Sequence, residues 1–181
     1  CLNRLLRWRR RFDEGGECIE YEADPRHAEI LWAQLGLQRD SRPLSSPGVQ
    51  VKITPETEKE LSDSDTSLYK SACMRLGFFA LDRPDLVFVA KECARGMSSP
   101  KVRHMTLLKR AARFLLQAPR LFWRWPRQRM PQHSDLYSDT DWAGCPIPRR
   151  SSSGIALQFG THLLLFASTT QVPILLSSRD S

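Results

Sequence analysis

Apolar positions recur at two different spacings, and the change between them divides the chain. Through the middle they return every three or four residues, as on one face of a helix; over the last quarter they return every second residue, as along a strand. Near the start, Arg4–Trp8 and Glu17–Glu22 flank Asp13-Glu14-Gly15-Gly16. In the second run Ile19 and Tyr21 alternate with glutamates, which predicts a β-hairpin about the Gly-Gly turn. Asp24-Pro25 then offers an N-cap and a proline at the first helical position. Ala28, Leu31, Trp32 and Leu35 follow at helical spacing, and Gly36 closes the element.

Residues 38–66 read as a connector, broken by Pro43, Pro47 and Gly48 and acidic in its second half; only Val49–Ile53 has the pattern of a short strand. Three helices are expected next. The first runs from about Ser67 to Leu81, with Leu68, Ala72, Leu76 and Phe79 on one face. The second opens at Arg83-Pro84-Asp85 and aligns Leu86, Ala90, Cys93 and Met97. The third opens at Ser99-Pro100 and aligns Met105, Leu108, Ala112 and Leu115. Each proline falls where a first-turn N–H has no intrahelical partner. Pro119–Pro131 reads as a Pro/Arg/Trp linker. Beyond it, Ser134–Tyr137, Gly154–Phe159 and His162–Ser168 form the pattern of a three-strand antiparallel meander, with turns at Asp141–Arg150 and Gly160.

Composition narrows the class. Hydrophobic residues make up 41% and charged residues 26%, the balance of a globular chain, and 181 residues suffice for one ordinary domain or two small ones. The longest apolar runs, Leu76–Leu81 and Leu163–Ala167, fall far short of the roughly 18 residues that cross a bilayer, so no membrane association is expected. Cys1–Arg11 has no uninterrupted apolar stretch and does not read as a signal peptide. Five widely spaced cysteines without a CxxC pair argue against a zinc knuckle or a disulfide framework. An intracellular chain with free thiols is expected.

Charge adds more. The net charge is +7, and from Cys93 to Ser134 there is no Asp or Glu while there are ten cations, from Arg95 to Arg129. Such a block attracts polyanions, and nucleic acid is the expected partner; a solvated helix face followed by a basic linker is the plainer alternative. Within it, Trp123 and Trp125 stand among Arg120, Arg124, Arg127 and Arg129. They have the chemistry to stack on bases while the arginines contact phosphates, or else to pack on a neighbouring domain. Further on, Asp139 and Asp141 end a strand before a Gly turn, where carboxylate oxygens face an open sheet edge and suit a hard divalent cation. The two point the same way only if the strand persists past Thr140, and a full site needs a further carboxylate from elsewhere. His104 and His133 have no ligand at metal-binding spacing and read as surface residues; His162 reads as structural.

Several motifs occur in an order that carries a resemblance. Tyr137–Gly144 (YSDTDWAG), Arg149–Gly154 (RRSSSG), Ser168–Gln171 (STTQ) and Leu176-Ser177-Ser178 resemble the ribonuclease H region of copia-type retrotransposon polyproteins, which reads close to YSDADWAG, RKSTSG, a Trp-Ser-Ser-x-x-Gln step and LSSTEAE. Upstream, Tyr69-Lys70-Ser71 and Arg83-Pro84-Asp85-Leu86 are similar to the helices that join polymerase to nuclease. Residues 21–48 are similar to the end of the reverse transcriptase domain.

The resemblance implies an α/β chain, with a helical connection region followed by an incomplete ribonuclease H-like sheet of three antiparallel strands. It implies the end of a reverse transcriptase domain over 1–48, an acidic linker over 49–66, a basic helical connection over 67–131 and a truncated ribonuclease H-like domain over 132–181. Asp139 occupies the position of the family's first metal-binding aspartate, so the implied catalytic and metal-ligating residue is Asp139, with Mg2+ as the cofactor. The implied reaction is hydrolysis of the RNA strand of an RNA–DNA hybrid by water activated between two metal ions about 4 Å apart. Arg120, Arg124, Arg127, Arg149 and Arg150 are the residues expected to hold the nucleic acid.

Departures from the pattern set a further expectation. The text ends Leu176-Ser177-Ser178-Arg179-Asp180-Ser181, with Asp180 on the family's first Glu of LSSTEAE and the metal-binding second Glu falling past Ser181. A polymerase YxDD motif is absent. Cys145-Pro146-Ile147-Pro148 stiffens a loop, Phe166 stands where the family has Trp, and Pro173 interrupts Val172–Leu176. The chain is therefore expected to bind nucleic acid as a polyprotein fragment and to be inactive as a nuclease by itself. The alternative is a basic protein-interaction module with no nucleic-acid chemistry.

Overall fold

The computed structural model describes residues 8–13, 16–38, 40–49, 51–141 and 150–171. Expectations placed on Arg4–Arg7, Cys145–Pro148, Arg149, Pro173 and Leu176–Asp180 lie outside the described residues. The described chain is mixed α/β. It has two compact units: Glu22–Trp123 forms a helical unit, and Trp8–Tyr21 with the segment from Arg124 onward forms a sheet unit.

In the helical unit, α1 spans Arg26–Gln34. Pro25 is its N-cap, and the buried Asp24 carboxylate accepts the Arg26 N–H at 3.1 Å and holds the Arg26 guanidinium at 2.7 Å. Gly36, at φ 68, ends the turn in a conformation that side chains disfavour. Helix α2 spans Asp63–Ala80 and begins four residues before the expected start. Ser62 Oγ accepts the Asp65 N–H at 3.2 Å, and Asp63 and Asp65 place negative charge on the first turn, so the end of the acidic stretch is helix rather than linker. Val49 and 51–53 form no strand. The local polar groups bond among themselves instead: Thr57 Oγ1 donates to the Lys52 carbonyl at 3.0 Å and accepts the Thr54 N–H at 2.9 Å.

After Arg83, a 3-10 turn at Pro84–Leu86 leads into α3 at Val87–Ala94, and α4 spans Val102–Gln117. Pro100 precedes the α4 N-cap, Lys101, and so lies outside the first turn where it was expected. The acidic segment before α2 is a strap across the start of α4. The carbonyls of Lys59 and Thr57 accept the N–H groups of Val102 and Arg103, each at 3.0 Å. Glu58 pairs with Lys101 at 2.6 Å and with Arg103 at 2.8 Å. Those first-turn donors would otherwise lack partners.

One apolar core fills this unit. It joins Leu31 and Trp32 of α1, Ala72, Leu76 and Phe79 of α2, Leu86, Val89 of α3, and Leu108, Ala112 and Leu115 of α4. Each fully buried Leu or Val contributes about 1.5–3 kcal/mol relative to exposure. Tyr69 is buried within it and donates to the Cys93 carbonyl at 2.5 Å; burial pushes its hydroxyl pKa well above the usual tyrosine range. Arg83, only 1% exposed, donates to both Asp85 oxygens at 2.9 and 2.7 Å and to the Ala118 carbonyl at 2.9 Å. Its guanidinium lies 5.4 Å from the centre of the Phe79 ring. The Arg-Pro-Asp triplet thus starts the 3-10 turn and ties it to the end of α4.

The sheet unit holds two three-stranded antiparallel sheets. In the first, β1 (Trp8–Asp13) pairs with β2 (Gly16–Glu22), and β3 (Phe122–Pro126) lies on the other side of β2. The hairpin forms about the expected turn, but its first strand is Trp8–Asp13 and runs into the turn itself. Pro119–Pro131 is not all linker: Phe122–Pro126 alternates exposed and half-buried side chains as the third strand, and the Arg127 N–H donates to the Glu17 carbonyl at 2.8 Å.

The second sheet is the expected meander, with longer strands: β4 (Ser134–Asp141), β5 (Ser152–Phe159) and β6 (His162–Thr170), in that order. A register shift falls at Leu157/Gln158. Gly160, at φ 61, makes the tight turn into β6, and a Cβ there would stand 2.4 Å from Gln128 Oε1. Gln128 bridges this turn, donating to the Phe159 carbonyl and accepting the Thr161 N–H, both at 2.9 Å. The sheet unit contains no helix among the described residues. Leu136 is 66% exposed, and Tyr137, Leu164 and Leu165 are exposed with it.

Candidate metal and nucleic-acid sites

Strand β4 continues to Asp141, so the condition on the two aspartates is met. Asp139 and Asp141, two residues apart in an extended strand, lie on one face with their Cα atoms about 7 Å apart. Asp139 is opposite Gly154 of β5, and Asp141 is opposite Ser152. Because Gly154 has no side chain, the space beside Asp139 is open on that flank. Both aspartates are exposed, and Asp139 Oδ1 accepts the Thr140 N–H at 2.9 Å. Among the described residues no group of three or more His, Cys, Asp or Glu side chains converges to hold a metal ion. The described carboxylates on this face would give a hard cation one or two protein oxygens and leave most of its shell to water.

The arginines separate into two sets. Arg120 pairs with Glu22 at 2.5 Å and lies 4.9 Å from the centre of the Phe122 ring; the Glu22 bond raises the Arg120 pKa further. Arg124 pairs with Glu20 at 3.0 Å. Glu20 is only 3% exposed and also receives Arg11 at 3.4 Å, so one buried carboxylate of the central strand holds arginines from both neighbours. Arg10 pairs with Glu17 in the same manner. Arg127 and Arg150 are exposed and make no ion pair among the described residues; Arg149 lies outside them. Trp123 donates its Nε1–H to the Asp82 carbonyl at 2.8 Å, which is a structural contact, while Trp125 is half-buried.

His104 is not a surface residue. Its Nδ1 accepts the Lys101 N–H at 3.0 Å, its ring lies against Gly96, where a Cβ would stand 2.5 Å from it, and burial with the nearby Arg103 charge pushes its pKa down to about 4. It is a neutral cap for the start of α4. His162 is structural as expected, its Nε2 bonded to the Pro126 carbonyl at 2.8 Å, and His133 is exposed, 3.7 Å from Asp135. Sequence reasoning missed Glu20 and Arg83, whose buried charges are legible only once their partners are placed. An acidic strand beside arginine-rich segments was the available signal for Glu20.

The chain is similar in sequence to retrovirus-related Pol polyproteins, in keeping with the copia-type resemblance. From Arabidopsis thaliana, the Pol polyprotein of transposon RE1 is 28% identical over 120 residues (65% of this chain) and that of transposon RE2 is 27% identical over 144 residues (78% of this chain). An uncharacterised mitochondrial protein of the same plant, AtMg00810, is 24% identical over 157 residues, 86% of this chain. The chain spans 63% of the length of AtMg00810 and 8% and 10% of the two polyproteins. No family model and no solved structure matches it.

Proposed function

We propose that this chain is a nucleic-acid-associating fragment of a copia-type Pol polyprotein, directed to RNA–DNA hybrids. Ribonuclease H activity would belong to the longer ancestral protein. The observation that supports this best is the joint placement of Asp139 and Asp141 on one open face of β4, in a chain whose relatives are Pol polyproteins. Asp139 would be the metal-binding and catalytic carboxylate, and Mg2+ would supply the polarisation of water and of the scissile phosphate. Among the described residues Asp139 and Asp141 give too few oxygens for two metal ions, so the role proposed for them here is binding rather than cleavage. Arg127 and Arg150, exposed and without an ion pair among the described residues, would contact phosphates.

The test is a labelled RNA–DNA hybrid incubated with the protein in magnesium, beside Asp139→Asn. Salt-sensitive binding without cleavage by either protein is the expected result. Magnesium-dependent cleavage that Asp139→Asn abolishes would show a complete nuclease and overturn the inactivity. Absence of hybrid binding at any salt concentration, with capture of a protein partner instead, would favour the protein-interaction module.

A further inference from the structure

Ten cations between Arg95 and Arg129 look like one basic block in the sequence, but the structure sorts them. Arg95 pairs with Glu92, Lys101 and Arg103 with Glu58, Arg120 with Glu22, and Arg124 with Glu20. Three cations of α4 remain without an acidic partner among the described residues: Lys109, Arg110 and Arg113. Lys109 and Arg113 are exposed; Arg110 is half-buried, and its Nε is shut from solvent without a hydrogen-bond partner.

Their placement follows from helix geometry. At about 100° per residue, the buried Met105, Leu107, Leu108, Ala111, Ala112 and Leu115 occupy one arc of α4. Lys109, Arg110 and Arg113 fall on the opposite arc, together with the exposed Thr106 and Gln117. Lys109 and Arg113 are one turn apart, so their Cβ atoms are about 5–6 Å from each other along the outer face. No acidic residue occurs anywhere in α4.

We propose that this outer face of α4 is a docking surface for the sugar-phosphate backbone of a duplex nucleic acid. The proposal rests on the nucleic-acid reading above and gives it a location that the sequence did not. Charge complementarity identifies the occupant: the exposed Lys109 and Arg113, with Arg110 half-buried beside them and hydroxyl and amide groups at their flanks, match a row of phosphates. Contacts to phosphates position a duplex without reading its bases, so binding through this face is expected to be independent of sequence. Arg120 and Arg124, expected to hold the nucleic acid, are already neutralised within the fold and contribute little to it.

The test is the salt dependence of binding to a labelled RNA–DNA hybrid, and to a DNA duplex of the same sequence, for the full chain. The Lys109→Gln/Arg113→Gln double variant is expected to bind roughly tenfold or more weakly near 0.1 M salt, with the slope of log affinity against log salt shallower by about 2. Its thermal unfolding should match that of the unsubstituted chain, because both side chains are exposed. Arg120→Gln/Arg124→Gln is expected to leave the slope unchanged. An unchanged slope in the α4 variant, with the unsubstituted chain binding normally, would overturn the α4 surface and leave the nucleic-acid reading standing. Loss of slope in the Arg120/Arg124 variant instead would move the surface to the arginines that pair with β2. If the unsubstituted chain binds neither nucleic acid but binds vesicles of anionic phospholipid, both proposals fall.

Discussion

Between Glu22 and Trp123 the buried apolar side chains join into one core, with α1, α2, α3 and α4 all contributing to it. In the sheet unit the buried residues among those described are Cys18, Glu20, Tyr21, Ser151 and Ser152, two of them serines and one a carboxylate. The helices are held by burial of apolar area. The first sheet depends on backbone ladders and on paired charges beside one buried glutamate, and the second on ladders and a few turn contacts. Net hydrogen bonds contribute about 0.5–1.5 kcal/mol each and exposed ion pairs less. The two units should therefore respond differently to the same kind of change.

The largest expected effect is at Arg83. Its replacement by Ala removes the hydrogen bonds to Asp85 and to the Ala118 carbonyl together with the packing on Phe79, and should cost about 4 kcal/mol, read as a lower urea midpoint of the helical unit. Leu108→Ala should cost about 3 kcal/mol in the same measurement, while Leu136→Ala, at an exposed position of the second sheet, should cost no more than about 0.5 kcal/mol. Equal losses at Leu108 and Leu136 would break the comparison. Amide exchange offers a second reading: the N–H groups in the middle of α2 and α4 should exchange far more slowly than those of β4, an exposed edge strand.

Acid should weaken the helical unit in a defined window. The folded His104 pKa, about 4, lies below its ordinary value of 6.5, so the unfolded chain binds more protons between the two. This contribution to stability is complete above about pH 6.5, falls as pH drops toward 4 and is flat below. His104→Gln should remove that part of the pH dependence. The groups facing His104 are Arg103, Glu58, Lys101 and Glu92, and the bond from Lys101 holds the Glu58 carboxyl below its usual range. The smallest expected effect is from Asp139→Asn, which should leave unfolding of both units unchanged because the side chain is exposed and, among the described residues, bonds only its neighbour's N–H.

The sequence was legible where one segment settles its own structure. Leu76 and Phe79, Leu86 and Cys93, Met105 and Leu115 all fall on the buried faces their spacing predicts, and the last three strands form the expected meander. Tyr69 stands out in the sequence only as part of a motif, although its ring is buried and its hydroxyl bonded inside the core. Ser62 caps α2 early because its hydroxyl reaches the Asp65 N–H, a detail masked by the surrounding acidic residues. Strand β3 was read as linker because Phe122-Trp123-Arg124-Trp125-Pro126 is short and ends in proline, and nothing local shows the partner strand. At the candidate metal site, the common face of Asp139 and Asp141 was conditional on strand length, and only the structure fixed that length. The basic block was read from charge alone, which records cations and not their partners.

The pairing of Arg124 with Glu20 joins residues 104 positions apart, with every helix of the helical unit in between. During synthesis the β1–β2 hairpin therefore leaves the ribosome well before its third strand exists. At about 5–20 residues per second, the delay is on the order of 5–20 s, far longer than the roughly 1–10 μs a hairpin takes to form. Throughout that interval the outer edge of β2, with its glutamates, stands unpaired. Those negative charges discourage a nascent neighbour from adding its own strand there, and Arg124 of β3 and Arg120 just before it later pair with Glu20 and Glu22.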